Sequence, residues 1–214
     1  KVNRIYKMSY VIEFEGVDAS GKTTQASLLF EALSEKGFDV ELIGSSDRRL
    51  SSPILNYLNQ EGAQPIETIC LLSAANDLTL AGKLEEDKVF LLDRYIYTSI
   101  ASYLTMGQDQ KWIFNLYKKF RKSDIVFLMD ISSEEACRRK GGITTPLEEG
   151  SPLVYRGSKY NGFEEYQNDI REAFLYLSRR DPNFVVLDAS ENIDLLHREI
   201  LDKVISTLLK EGVR

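Results

Sequence analysis

Eight consecutive residues carry the clearest chemistry in the chain: Gly16, Val17, Asp18, Ala19, Ser20, Gly21, Lys22 and Thr23 fit G-x-x-x-x-G-K-[ST]. The glycines at that spacing allow a tight loop whose backbone N–H groups converge on phosphate oxygens. Lys22 can bridge β- and γ-phosphates, and the Thr23 hydroxyl can ligate Mg²⁺. A second cluster, Asp93-Arg94-Tyr95, comes directly after an apolar run. A carboxylate at Asp93 can hold Mg²⁺, and Arg94 can clamp phosphates and neutralise charge that develops during transfer. Lys22, Asp93 and Arg94 are therefore expected to be catalytic, with Thr23 and Asp93 as the metal ligands.

The residue after Asp93 separates reaction classes. A hydrolytic ATPase places a second acid there to activate water, whereas this chain has Arg94. There is no N-K-x-D guanine motif, and D-x-x-G occurs only inside the phosphate loop. Those features favour transfer to an acceptor over hydrolysis.

These residues need a scaffold that brings distant loops together. Residues 10–15 read as a strand stopped at Gly16, and 23–36 as a helix with Ala26, Leu29 and Leu33 on one face and Gly37 as its stop. Strands are also expected at 39–43, 89–92, 125–129 and 184–187, with 89–92 buried on both faces. Helices are expected at 47–59, 66–86, 97–122 with a break near Gly107, and after Ser190, read as a cap. Strands alternating with helices imply an α/β protein with a doubly wound, parallel, five-stranded sheet. Its ligand crevice lies at the carboxyl ends of the strands, where Asp93 faces the loop at Gly16.

One stretch departs from this rhythm. Residues 141–162 hold five of the 13 glycines and two of the five prolines. Arg138, Arg139 and Lys140 precede it, and Arg156 and Lys159 lie near its far end. A mobile, basic-edged lid at about 138–162 is the reading, within a single domain over 10–214 that comes after an extension at 1–9.

Composition narrows the partners. The chain has 214 residues, 27 Lys and Arg against 33 Asp and Glu, and a net charge of −6. That balance speaks against a broad nucleic-acid or anionic-membrane surface, while a small anionic ligand in a local basic pocket stays open. No apolar run, that at 125–129 included, is longer than five residues, far below the ~20 needed to cross a bilayer. Cys70 and Cys137 form no spaced framework and read as reduced thiols, so a cytoplasmic location is expected. His197, the only histidine, reads as a surface or packed residue. Trp112, Phe114, Tyr117 and Phe120 read as core, with a subunit interface as the other reading.

From Tyr10 to the last helix the chain resembles the thymidylate kinases, which are P-loop nucleoside monophosphate kinases of the P-loop NTP hydrolase fold. The resemblance rests on Phe14-Glu15-Gly16-Val17-Asp18 through Lys22-Thr23-Thr24-Gln25 and on Asp93-Arg94-Tyr95 followed by Thr98, Ser99 and Ala101. Phe163 to Phe174 and Val186-Leu187-Asp188-Ala189-Ser190 are similar to the family's helix after the lid and its adenine-bordering turn. The resemblance implies transfer of the γ-phosphoryl of Mg-ATP to a deoxynucleoside monophosphate, most simply dTMP to dTDP, in a homodimer.

It also implies roles by position. Residues 16–24, Arg139 and Ala189 would contact ATP. Asp18 would accept from the acceptor's 3′-hydroxyl, Arg94 and Tyr95 would line the acceptor site, and Arg48, with Arg49 as a rival, would clamp its phosphate. Because Ala19 brings no charge into the loop, a lid arginine, Arg139 or Arg156, would supply it. On the helix at 66–86, Ser73 and Asp77 replace the family's base-stacking aromatic and base-reading arginine, with Asn76 beside them. Ser102 stands where an aromatic often crowds a 2′-hydroxyl, next to Tyr103. An ionised Asp77 cannot donate to a carbonyl, so a broadened base preference is expected. Two other readings stay open: a deoxynucleoside kinase, and a nucleotide-binding protein without transfer activity.

Overall fold

The computed structural model describes residues 9–44, 65–145, 148–149, 160 and 162–213. Five strands, β1 (Tyr10–Glu15), β2 (Val40–Ile43), β3 (Val89–Asp93), β4 (Ile125–Asp130) and β5 (Phe184–Asp188), form one sheet. Their order is β2-β3-β1-β4-β5, and every pairing is parallel. β1 and β3 are buried along their whole lengths, as expected of central strands covered on both faces.

The helices are α1 (Lys22–Glu35), α2 (Ile66–Lys83), α3 (Ile96–Thr105), α4 (Gln110–Tyr117), α5 (Ser133–Lys140), α6 (Phe163–Ser178) and α7 (Ile193–Glu211). They fall into two groups. α1 packs with α7, while α2 through α6 pack in a chain of neighbours. α1 buries Ala26, Leu29 and Leu33, and α7 buries Leu196, Ile200, Val204 and Leu208, both at helical spacing. Burial of a Leu or Ile side chain is worth about 1.5–3 kcal/mol, so these two stripes are enough to fix α1 beside the sheet.

The expected strands and helices agree with the structure to within a few residues, with one correction. Ser190 does not cap the last helix: its N–H and hydroxyl both bond Asp188 Oδ1, at 2.9 and 2.6 Å. Asn192 caps α7 instead, accepting from Asp194 N at 2.9 Å. The break near Gly107 separates α3 from α4 and uses a left-handed backbone (φ 84°) that glycine adopts without strain. Tyr117 is buried, and Trp112, Phe114 and Phe120 pack partly buried against the same core. The expected helix at 47–59 lies outside the described residues.

The topology places the site. From β1 the chain crosses to β2 and β3 on one side, then to β4 and β5 on the other, so the winding reverses at β1. A crevice opens at such a reversal, beyond the carboxyl ends of the strands. In register, Phe14 of β1 pairs with Asp93 of β3 and Glu15 with Leu128 of β4. No described helix is long and apolar enough to cross a membrane.

Candidate active site

The loop between β1 and α1 is shaped by close approach. Gly16 has φ 139°, and a Cβ there would sit 2.6 Å from the Met129 carbonyl oxygen, so a side chain is excluded. Gly21 caps α1 in a left-handed conformation, with no side-chain cap and no acid in the first turn. The N-terminal amides of α1 are thus left for an anion, with the helix dipole behind them. Ala19 adopts φ 60°, and Arg94, on the neighbouring loop, φ 70°. Non-glycine residues held there store about 1–3 kcal/mol each, strain that tends to collect at functional sites.

Lys22 is 4% exposed, and its Nζ donates to the Val17 carbonyl at 2.6 Å and to Ser20 Oγ at 3.2 Å. Burial, helped by the nearby Arg94 charge, lowers its pKa to about 7, against the upward pull of Asp18, Asp93 and Glu15. Anionic phosphates would restore the full charge of this ammonium. The Thr23 hydroxyl donates to Asp93 Oδ2 at 2.5 Å, joining the two expected metal ligands. Asp93 Oδ1 is buried and has no partner among the described residues. A hydroxyl and an unsatisfied carboxylate oxygen side by side form an oxygen donor set that fits Mg²⁺. The described residues contain no group of three or more His, Cys, Asp or Glu side chains that could hold a metal by themselves.

Across the loop, Arg94 donates through Nη2 to Asp18 Oδ1, with both side chains 23% exposed. Sequence reasoning missed the residue that completes this arrangement. Gln167, 2% exposed on α6, accepts from Asp18 N and donates to Asp18 Oδ2, each at 3.0 Å, and donates to the Glu148 carbonyl at 2.9 Å. Tyr166, beside it, is buried. Sequence reasoning gives Glu15 no role of its own, yet it accepts from Tyr95 N at 3.1 Å, Thr98 N at 2.8 Å and the Thr98 hydroxyl. That carboxylate holds the first turn of α3 directly behind Arg94.

Other expected acceptor residues are placed differently. Ser73 and Tyr103 meet, the tyrosine hydroxyl accepting from the Ser73 hydroxyl at 2.5 Å and donating to the Ile69 carbonyl at 3.2 Å. Asn76 is half-buried on the same helix. Asp77 is 1% exposed and accepts from Ser99 Oγ at 2.8 Å and from the Tyr117 hydroxyl at 3.3 Å. Its carboxylate therefore ties α2 to α3 and α4. Tyr95 is fully buried in the core. Arg48, Arg49 and Arg156 lie outside the described residues.

A cavity of about 400 Å³ opens beside the loop, lined by Ala19, Ser20, Gly21, Thr24, Arg139 and Ala189 among others. Arg139 spans its edge, donating through Nη2 to the Ala189 carbonyl at 2.8 Å and through Nε to Glu135 at 2.7 Å. Two residues expected from separate motifs are thus in direct contact. Arg138 is largely exposed and pairs with the same Glu135. His197 is half-buried on α7.

Comparison with known proteins agrees with this geometry. The family model for thymidylate kinase matches residues 14–200. A probable thymidylate kinase of Sulfurisphaera tokodaii is 32% identical over 95% of this chain and 99% of its own length. A probable thymidylate kinase of Thermococcus kodakarensis is 30% identical over 94% and 98%. The solved structure of thymidylate kinase from Candida albicans superposes with a TM-score of 0.72 at 23% identity, covering 94% of this chain and 92% of that one, which supports the same fold. With a matching family model over most of its length, and a phosphate loop facing an Asp-Arg-Tyr turn across a β1/β3 switch point, the chain belongs to the thymidylate kinase family.

Proposed function

We propose that this protein transfers the γ-phosphoryl group of ATP to thymidylate, giving ADP and dTDP, with Mg²⁺ held at Thr23 and Asp93. The observation that carries the reading is the assembly around Asp18, which joins the phosphate loop to Arg94 and, through Gln167, to α6. One residue of the donor loop is thereby set beside the group expected to bind the acceptor.

In this reading the loop amides and Lys22 bind the β- and γ-phosphates, and the cavity at Arg139 and Ala189 takes the nucleoside end of ATP. Asp18 orients the acceptor sugar, while Arg94 spans the acceptor and transferred phosphates. An acceptor phosphate oxygen attacks the γ-phosphorus as the bond to the β-phosphate oxygen breaks. Catalysis is then positioning with charge neutralisation. Mg²⁺, when bound, neutralises charge on the β- and γ-oxygens.

The lid at about 138–162, with Arg139 and Arg156, closes over the phosphates within a single kinase domain over 10–214. Ser73, small and polar beside Tyr103, widens the acceptor base profile, while Asp77 is held in the buried seam with Ser99 and Tyr117. A cytoplasmic homodimer belongs to the same reading, and Leu71 and Leu78, exposed seven residues apart on α2, are consistent with a buried interface.

The test is ADP release from Mg-ATP against thymidylate, the other deoxy- and ribonucleoside monophosphates, and free thymidine. Thymidylate-dependent release supports the proposal. Release with thymidine alone would make the protein a nucleoside kinase, and failure of every acceptor to support release would leave nucleotide binding without transfer.

A further inference from the structure

Strand β1 carries two acids where a strand buried on both faces ordinarily carries apolar residues. Glu13 and Glu15 are two residues apart, so they share one face of the sheet, and each is 0% exposed. Glu15 takes three donors from residues 95 and 98. Glu13 accepts from Ser123 Oγ at 2.6 Å and from Tyr97 N at a long 3.5 Å, while Glu15 takes the next amide, Thr98 N, so the two carboxyls lie side by side.

Two ionised carboxylates side by side in a fully buried place repel strongly unless a cation or a proton lies between them. The neighbouring charges are engaged elsewhere. Lys122, next to Ser123, pairs with Asp181 at 2.7 Å, and the Tyr97 hydroxyl donates to the same Asp181 at 2.6 Å. Arg121 pairs with Asp124 at 2.7 Å. Lys22 of α1 acts on Glu15 from across the loop but donates to Val17 and Ser20. Glu15 already receives three donors in the geometry of a carboxylate, so the shared proton belongs on Glu13.

We infer that Glu13 is a positioning residue: as a neutral acid it donates to the Glu15 carboxylate and fixes the group that anchors the first turn of α3 and, through it, Arg94. The residues Glu15 holds come directly after Arg94, whose backbone is in a strained left-handed conformation. Loosening Glu15 would let that strain relax and would move the guanidinium away from Asp18. Burial, with the negative Glu15 beside it, keeps the Glu13 proton in place well above the ordinary carboxylate range. The native state then holds a proton that the unfolded chain releases above its ordinary pKa. Stability from this pair is greatest in acid and falls as pH rises, until Glu13 itself titrates.

The experiment compares wild type with Glu13→Gln, whose amide donates to Glu15 and accepts from Ser123 without titrating. Chemical denaturation from pH 6 to 9 should show wild type losing up to about tenfold in its folding equilibrium per pH unit relative to the variant. Parallel curves would overturn the shared proton. An infrared band of a protonated carboxyl should persist in wild type at pH 8, and its absence would overturn the idea even if the variant does not fold.

The positioning role rests on the kinase reading and is tested by rate. The alkaline fall of kcat for acceptor-dependent ADP release should be lost in Glu13→Gln, with KM for ATP following one profile in both proteins. A kcat–pH profile untouched by the substitution would overturn positioning. If no acceptor supports ADP release, the kinase reading fails, while the denaturation curves and the infrared band still decide the proton.

Discussion

Gln167 holds Asp18 from two sides, its amide oxygen accepting the Asp18 backbone N–H and its amide nitrogen donating to the Asp18 carboxylate, each at 3.0 Å. The two residues lie 149 positions apart, so this contact ties the loop after β1 to α6. Removing it leaves a partly buried N–H without a partner and frees the carboxylate to rotate.

Gln167→Ala should therefore raise KM for the acceptor by roughly tenfold, the loss of one or two bonds near a charged group, while KM for ATP changes little. Initial-rate kinetics with each substrate varied in turn measures the split. A rise in KM for ATP alone would show that Gln167 serves the donor.

Lys22→Ala should lower kcat by about two to three orders of magnitude, the scale for removing one pre-positioned donor at a site of developing charge. Because Lys22 is buried and its pKa is lowered to about 7, the variant should melt no lower than wild type at neutral pH. Turnover and thermal melting, measured on the same samples, distinguish lost chemistry from lost fold.

The left-handed backbone of Arg94 (φ 70°) gives a comparison between two inactive variants. Arg94→Gly and Arg94→Ala both delete the guanidinium, but only glycine relieves the backbone strain, which is worth about 1–2 kcal/mol. Arg94→Gly should be the more stable by that amount in denaturant titration. Equal stability would mean that the turn relaxes once the side chain is gone.

Asp181 sets an acid limit on stability. Burial pushes its carboxyl up, but Lys122, the Tyr97 hydroxyl and the Asn183 N–H together bring it below the usual aspartate value. Its contribution is full above the unfolded pKa and is lost as pH falls through the lower folded value. Asp181→Asn should cost about 1–2 kcal/mol at pH 7, discounted for the exposed lysine, and close to nothing near pH 2. Denaturation at the two pH values is the check, and an equal cost at both would place the effect in packing.

For Asp77 the expected effect is structural. Its carboxylate joins Ser99 and Tyr117 in a buried seam, so Asp77→Arg should destabilise by about 3 kcal/mol or more through overpacking and a buried charge. Thermal melting before any specificity assay decides this. A variant that melts like wild type, with its acceptor preference shifted, would put Asp77 at the base.

The loop at Gly16 and the Asp93-Arg94 turn were legible because short spacing encodes them and the strand-helix context is local. The parallel sheet was legible from alternating apolar runs. Gln167 was not legible: on an amphipathic helix a glutamine beside a tyrosine reads as a surface residue, and only the fold brings it to Asp18. Glu13 escaped notice for a similar reason, since an acid in a strand reads as a solvent-facing alternation until both faces are seen to be covered. The Ser190 expectation failed because Asp188 competes for the same hydroxyl and leaves the cap to Asn192.

The pairing of Phe14 with Asp93 also makes the site a gauge of strand alignment. A slip of one residue between β1 and β3 would carry Asp93 about 3.3 Å along the strand and turn it to the opposite face. Its bond to Thr23 could not then form. A misaligned sheet could keep its secondary structure and most of its apolar burial, yet it would have no Thr23–Asp93 pair. Recovery of activity on refolding would therefore report correct strand register, whereas recovery of circular dichroism alone would not.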